Sequence, residues 1–321
     1  MTYHILVPDS VHPSAVDVLK GAPELKFTAP GQMTRAELLA ALPDADALII
    51  RSASKIDAEA LAVATKLKMI ARAGVGVDNV DIPDATKRGI VIMNTPDGNT
   101  VSTAEHTFGL MLALARHIPQ AHASMREGKW DRKSYMGVEL RGKTLGVVGF
   151  GRIGRAVAKR AIAFEMKVLA FDPYITADVA ADLGVELVSL NDLFTRADFI
   201  TLHALLTDET REMVNAASLA TMKKGVRIVD AARGALINEA DLAAAIKSGH
   251  VAGAALDVFA QEPPPPDNPL VGLPGVVHTP HLAASTDDAQ IVVAVEAAQL
   301  VVDALTTGQY RNVVNPAVLS K

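Results

Sequence analysis

The stretch Thr144–Asp172, TLGVVGFGRIGRAVAKRAIAFEMKVLAFD, constrains this chain more than any other. An apolar run, Leu145–Val148, is short enough for a buried strand. Gly149, Gly151 and Gly154 follow with G-x-G-x-x-G spacing. Ile153, Val157, Ala161 and Phe164 then recur close to helical spacing. A second β-rich run, Val168–Phe171, ends on Asp172. The order is strand, tight turn, helix, strand. In such a unit Gly149 permits the sharp turn and Gly151 lets a pyrophosphate approach the backbone. Gly154 lets the helix lie close to the strand, and the helix N-terminus faces the phosphates. Asp172 is placed to accept hydrogen bonds from adenosine ribose hydroxyls, and its charge repels a 2′-phosphate. The motif therefore points to NAD rather than NADP.

The rest of the chain repeats this alternation. Strand-like runs occur at Leu25–Thr28, Ile5–Val7, Ala47–Ile50, Met69–Ala71 and Ile90–Met93 in the first part. They recur at Phe199–Leu202, Val226–Val229, Gly253–Leu256 and Gly275–His278. Helical patterns lie between them, around Pro13–Lys20, Thr34–Ala41, Asp57–Thr65 and Ile82–Arg88. Strands alternating with helices imply parallel βαβ units, so the fold class is α/β with open parallel sheets. Two units are expected from 321 residues, half of them hydrophobic. The segment Val101–His117 is apolar on nearly every face and is expected to be buried all round, in a core or in a subunit interface.

Several classes of function are set aside by composition. There is no cysteine, which removes disulfides, thiolate nucleophiles and Cys-ligated metals. A formal charge of −5 argues against a nucleic-acid partner. The start, MTYHILVPDS, has no basic n-region or long apolar h-region, and no run of eighteen or more consecutive apolar residues occurs. A cytoplasmic protein with no membrane partner is expected. His278 and His281 are three apart, but Pro280 between them breaks any helical face, so no metal site is expected.

The polar clusters follow the apolar runs directly. Arg51-Ser52 follows Ala47–Ile50, and the segment from Arg72 through Gly74 and Val75 to Asp78 follows Met69–Ala71. The turn Asn94–Asn99 follows Ile90–Met93. His203 follows Phe199–Leu202, Ala231–Gly234 follows Val226–Val229, and Asp257 follows Gly253–Leu256. Open parallel sheets bind ligands beyond the carboxyl ends of their strands. This placement leads us to expect an enzyme whose two units both offer loops to one cleft. Arg233 suits bidentate recognition of a carboxylate, or pairs structurally within its small-residue turn. Glu262, in QEPPPP, and His281, in HTPHLAAST, read equally as a solvated loop carboxylate and a helix-capping histidine. His203 reads as a core or cofactor-edge residue.

Taken together, these residues resemble the D-isomer-specific 2-hydroxyacid dehydrogenase family. GFGRIG at 149–154, AARG at 231–234, GAALDVFAQEP at 253–263 and PHLAAST at 280–286 carry the resemblance. RSASKI at 51–56, ARAGVGVDNVD at 71–81, NTPDGNTVSTAEH at 94–106 and GKWDRKSYMGVELRGKTLG at 128–146 look like its D-3-phosphoglycerate dehydrogenase branch. The resemblance implies a Rossmann-like NAD domain, 99–283, inserted into a flavodoxin-like substrate domain, 1–98 plus 284–321. It also implies a homodimer with the apolar helix near its interface.

Carried over by position, Arg233 binds the substrate carboxylate, His281 is the general acid–base, and Glu262 orients His281. The cofactor positions are Gly149, Gly151, Arg152, Ile153, Gly154, Asp172, Pro173, His203, Ala204, Ala231, Arg233, Asp257, His281 and Ala284. The substrate positions are Arg51, Ser52, Arg72, Gly74, Val75, Asn99, Arg132 and Lys133, the last two reaching a phosphate across the dimer. The implied reaction moves a hydride between NAD and C2 of a D-2-hydroxy acid, foremost 3-phospho-D-glycerate at the entry to serine. Reduction of hydroxypyruvate, glyoxylate or another 2-keto acid is the alternative, and an NAD-sensing binding protein a remote one. The chain departs from the family pattern at Leu205, where proline is usual, and at Ala283, where glycine is usual. Its length leads us to expect no C-terminal regulatory domain of the kind many relatives carry.

Overall fold

The computed structural model describes residues 2–320. The chain divides into two compact units, Met1–Asn99 with Ser285–Lys321, and Thr100–Ala284.

The first unit holds β1 (His4–Leu6), β2 (Lys26–Thr28), β3 (Ala47–Ile50), β4 (Met69–Arg72) and β5 (Val91–Asn94). They form one sheet in the order β2-β1-β3-β4-β5, every strand pairing parallel. Both faces are covered, which is why these strands are continuously apolar rather than alternating. Ile5, Ile49 and Met69 pack against Val293, Ala297, Leu300 and Val301. Leu6, Leu48 and Ile50 face the other way, toward Leu38, Leu42 and Leu61. The helix Asp287–Thr307 thus belongs to this unit. It is long and apolar enough to cross a membrane, although Gln290, Glu296 and Gln299 interrupt its apolar run. Its small and branched residues are instead spent on the sheet, with Thr286 capping its start and Gly308 ending it at φ 72°.

The second unit holds β6 (Thr144–Val148), β7 (Lys167–Phe171), β8 (Glu186–Leu187), β9 (Phe199–Leu202), β10 (Val226–Asp230), β11 (Val251–Leu256) and β12 (Val276–His278). Their order is β12-β11-β10-β9-β6-β7-β8, again all parallel. One face packs Leu145 and Val147 against the helices Thr100–Arg116 and Arg152–Ala163 through Phe108, Met111, Leu114, Val157 and Ala161. The other packs Val148, Ile200 and Ile228 against Leu193, Phe194, Leu219 and Leu242.

Within the single chain the helix Thr100–Arg116 buries Phe108, Leu110, Met111 and Leu114, while Val101 near its start is 60% exposed. Strand β8 carried no sequence signal, because two residues at a sheet edge are too few for any periodicity.

Strand order reverses beside β6 in the second unit and beside β1 in the first. Such switch points open a crevice at the carboxyl ends of the flanking strands. In the second unit these ends carry the glycine turn and His203; in the first they carry Asp9 and Arg51.

Candidate active site

The glycine turn is built as its spacing demands. Gly149 has φ 89°, and a Cβ there would lie 2.6 Å from the His203 carbonyl carbon. A Cβ on Gly154 would lie 2.1 Å from the Gly149 oxygen, so the helix Arg152–Ala163 lies as close to the turn as it does only without a side chain. Gly151 caps that helix, and a Cβ there would meet nothing within 4 Å. Arg152 and Ile153 are its first residues. Asp172 follows β7 and is held by two backbone donors, Phe150 N–H to Oδ2 at 2.8 Å and Tyr174 N–H to Oδ1 at 2.9 Å. The carboxylate is thereby tied to the glycine turn, with the exposed Pro173 beside it. An open N-cap glycine, a twelve-residue helix behind it and an oriented carboxylate on the next strand fit a dinucleotide.

His203 and Ala204 lie across from Gly149. The His203 Nε2 is 2.9 Å from the Thr201 hydroxyl. The residue keeps some exposed surface, yet its imidazole is enclosed enough that desolvation pushes its pKa down to about 3. A ring held neutral in this way is not set to carry a proton.

Glu262 and His281 meet directly. Oε2 of Glu262 lies 2.6 Å from Nδ1 of His281, and its Oε1 accepts the Phe259 N–H at 3.1 Å. The hydrogen bond from His281 to this carboxylate raises the imidazole pKa above its ordinary value, more than burial lowers it. Burial works to raise the Glu262 pKa, but the His281 bond and charge, with Arg233 further off, bring it below its ordinary value. Arg233 stands on the turn after β10, with Nη1 donating to the Ala232 carbonyl at 2.6 Å, and the buried Ala231 opens that turn. The next residue, Gly234, is required: a Cβ there would lie 2.0 Å from the Phe259 carbonyl carbon. This contact locks the Arg233 turn against the loop that carries Glu262.

His281 has φ 54°, left-handed backbone for a residue with a side chain. Such strain costs about 1–3 kcal/mol and persists only where the surroundings impose it. Asp257 imposes it here. Its carbonyl accepts the His281 N–H at 2.8 Å, and its carboxylate accepts the Leu282 and Ala283 N–H groups, each at 2.8 Å. The Thr279 hydroxyl donates to the same carboxylate at 2.5 Å, and His106 Nε2 lies 3.2 Å from it. Burial pushes the Asp257 pKa up, but these bonds, with His106 first among them, hold it below the usual range. Asp257 is 0% exposed, so it works by fixing the turn into His281. Ala284 closes this unit.

The substrate positions expected in the first unit gather at the ends of β3 and β4. The Arg51 N–H donates to Asp9 Oδ2 at 2.5 Å, and its Nη1 to the Ser10 carbonyl at 3.2 Å. Ser52 is exposed beside it. Arg72 ends β4 rather than following it, and its guanidinium lies against Gly74, where a Cβ would be 2.0 Å from Nη1. Gly74 has φ 147° and donates its N–H to the Thr95 hydroxyl at 2.7 Å. The Val75 carbonyl accepts from Asn94 Nδ2 at 2.6 Å, and Asn99 is the last residue of this stretch. Arg132 and Lys133, by contrast, lie on an exposed segment of the other unit, where the Lys133 N–H donates to Asp131. No group of metal-ligating side chains occurs among the described residues.

Sequence reasoning missed the residues that hold these loops. Asp9 is 2% exposed and accepts from the Arg51 and Ser54 backbones and from the Ser54 hydroxyl. Asn79 Nδ2 donates to the Arg51 and Ser54 carbonyls. Asp230, Thr279 and His106 do comparable work in the second unit. Asp9 and Asp230 had a signal, since each is an acid at the carboxyl end of a strand. His106 had none, since its partner is 151 residues away.

With this geometry in place, the comparisons with known proteins are specific. The sequence profile of the D-isomer specific 2-hydroxyacid dehydrogenase NAD binding domain matches residues 108–283. A D-3-phosphoglycerate dehydrogenase of Archaeoglobus fulgidus is 49% identical over 311 residues, 97% of this chain and 59% of the relative. One of Mycobacterium tuberculosis is 52% identical over 286 residues, 89% of this chain and 54% of the relative. The chain thus spans little more than half the length of these curated relatives. Among solved structures, the TT0316 protein of Thermus thermophilus has a TM-score of 0.88 at 37% identity, covering 97% of this chain and 99% of its own. A glyoxylate reductase of Paecilomyes thermophila has a TM-score of 0.90 at 29% identity, covering 98% of each chain. The profile match, the likeness to solved structures along 97–98% of the chain and the geometry of the glycine turn agree: the chain belongs to the D-isomer specific 2-hydroxyacid dehydrogenase family.

Proposed function

We propose that this protein oxidises 3-phospho-D-glycerate to 3-phosphohydroxypyruvate with NAD. The observation that carries the chemistry is the 2.6 Å bond between His281 and Glu262, on loops pinned to the Arg233 turn. The choice of substrate is supported by the 49–52% identity to relatives named D-3-phosphoglycerate dehydrogenase.

Under this reading Gly149, Gly151, Arg152, Ile153, Gly154, Asp172 and Ala204 hold the dinucleotide. Bound NAD supplies the hydride acceptor. Arg233 binds the substrate carboxylate and polarises the C2 oxygen, as a guanidinium does through paired donors. His281 takes the C2 hydroxyl proton on Nε2, because Nδ1 is committed to Glu262. Glu262 stabilises the imidazolium so formed. In the reverse direction the same imidazolium returns the proton to the keto oxygen. A positioned acid–base of this kind is worth about 10²–10⁴-fold. Arg51 and Arg72, held by Asp9 and against Gly74, provide cations for the phosphate. The unit Thr100–Ala284 is thereby the cofactor domain and the other the substrate domain.

A homodimer is part of the proposal. Ile118, Met125, Trp130 and Met136 are 53%, 53%, 78% and 82% exposed within one short segment. Single exposed apolar residues are ordinary, but a run of them marks an interaction face. Sedimentation of the purified protein as a monomer, unchanged by Trp130→Glu, would refute this part.

The second reading is reduction of glyoxylate or hydroxypyruvate, favoured by the 0.90 TM-score to a glyoxylate reductase. The deciding experiment is NADH oxidation by the purified protein with phosphohydroxypyruvate, hydroxypyruvate, glyoxylate, sulfopyruvate and pyruvate. The proposal requires the highest kcat/KM for phosphohydroxypyruvate. Preference for an unphosphorylated acid selects the second reading, and inactivity on all five rejects both.

A further inference from the structure

We propose that Asp230 is a positioning residue for Arg233, holding the turn that carries it as an un-ionised carboxylic acid. The kinetic part of this inference rests on the role given to Arg233 above; the structural part does not.

Asp230 ends β10, between β9 and β11 in the middle of the sheet. Its Oδ1 accepts the Ala232 N–H at 2.8 Å, and the same carboxyl group takes the Arg233 N–H. One carboxyl group therefore folds the whole Ala231–Arg233 turn. Its backbone oxygen accepts the Asp257 N–H at 2.8 Å, which ties the same residue to the start of the loop leading to Glu262. The turn has no slack on its far side, because Gly234 already lies against Phe259. A displacement of Asp230 must move Arg233.

The other oxygen shows the state of the acid. Asp230 is 0% exposed, and Oδ2 is enclosed with no hydrogen-bond partner among the described residues. An ionised carboxylate would share its charge between Oδ1, which has donors, and the enclosed Oδ2, which has none, and burying that charge costs more than burying the neutral acid. The charged groups that face it are Arg233 on its own turn and Asp257 at the end of the neighbouring strand. Asp257 is held ionised by its own hydrogen bonds and opposes a second negative charge. Burial, far more than Asp257, raises the Asp230 pKa to about 7, against the pull of the Ala232, Arg233 and guanidinium contacts.

The sign follows. The folded pKa lies above the unfolded value, so the contribution to stability is full below the ordinary value of 3.8. It is lost progressively as pH rises toward about 7 and stays lost above it. An amide at this position keeps the Oδ1 acceptor and cannot ionise.

The test compares wild type, Asp230→Asn and Asp230→Ala as the full chain. In thermal melts, wild type should lose stability relative to D230N as pH rises to about 7. Parallel melting curves would overturn the un-ionised acid. In keto-acid reduction, kcat/KM of wild type should fall as pH rises through about 7 and above with the loss of two protons, one from His281 and one from Asp230. D230N should lose only one. D230A should raise KM for the keto acid about tenfold, as loss of a positioned charged hydrogen bond does, with D230N recovering most of it. A KM for D230A within about twofold of wild type, or a D230N as impaired as D230A, would overturn the positioning role. A wild-type protein inactive on every keto acid would instead sink the dehydrogenase reading, and the melts would still decide the state of Asp230.

Discussion

Glu262 Oε2 and His281 Nδ1 stand 2.6 Å apart, and the histidine is held there in left-handed backbone by Asp257. The pair is more than a third exposed on each side, so it adds little to stability, and on the proposed reading its worth lies in the proton it controls.

That proton sets a direction for pH dependence. The Glu262 hydrogen bond raises the His281 pKa, so on the proposed mechanism the acid for keto-acid reduction persists to higher pH than in an isolated imidazole. Oxidation of the hydroxy acid needs the neutral ring and should rise with pH through the same pKa. Glu262→Gln should shift the alkaline fall of reduction to lower pH. His281→Ala should cut kcat by about 10²–10⁴ with NAD affinity nearly intact. A kcat–pH profile of E262Q superimposable on wild type would contradict the role of Glu262.

Arg51 is presented by Asp9, which takes its backbone N–H. Arg51→Ala should raise KM for a phosphorylated substrate far more than for its unphosphorylated analogue, by about 1.5–3 kcal/mol in binding if one charged hydrogen bond is lost. Equal effects in steady-state kinetics on both substrates would rule out a phosphate contact.

Asp172 is oriented by Phe150 and Tyr174 N–H groups toward the side of the glycine turn. On the proposed reading, removing its charge removes the repulsion of a 2′-phosphate. Asp172→Ala should narrow the ratio of kcat/KM for NAD over NADP by at least about tenfold. An unchanged ratio would count against the ribose contact.

The glycines separate packing from ligand binding. Gly234→Ala drives a Cβ to 2.0 Å from the Phe259 backbone and should lower Tm, with about 1–3 kcal/mol lost to overpacking. Gly151→Ala meets nothing within 4 Å at φ −72° and should leave Tm close to wild type. Its methyl group stands where the cofactor backbone would approach, so calorimetric NAD affinity should fall. A lowered Tm with intact NAD affinity in G151A would reverse this assignment.

The strand–turn–helix at Thr144–Asp172 was legible because its residues are local. Gly149 needs positive φ, Gly154 needs contact with the turn, and β6 needs a continuous apolar run, all within one βαβ unit. The placing of Arg51, Arg233, Asp257 and His203 at strand ends was legible for the same reason, since an apolar run and the residue after it are neighbours in the chain. What covers each face of Thr100–Arg116 was not legible, because composition shows how apolar a helix is and not which surface faces it.

The sequence by itself determined the fold class, the glycine turn that fits a dinucleotide and the acid that follows the next strand, since each depends on spacings shorter than one supersecondary unit. Only the tertiary structure decided which residues hold the reacting ones. His106 reaches Asp257 across 151 residues, and Asp9 reaches Arg51 across 42. Whether Asp230 carries a charge depends on what encloses its second oxygen. Parallel register sets the strand ends side by side, and burial then fixes the cost of each charge there. Neither quantity exists until the sheets are formed.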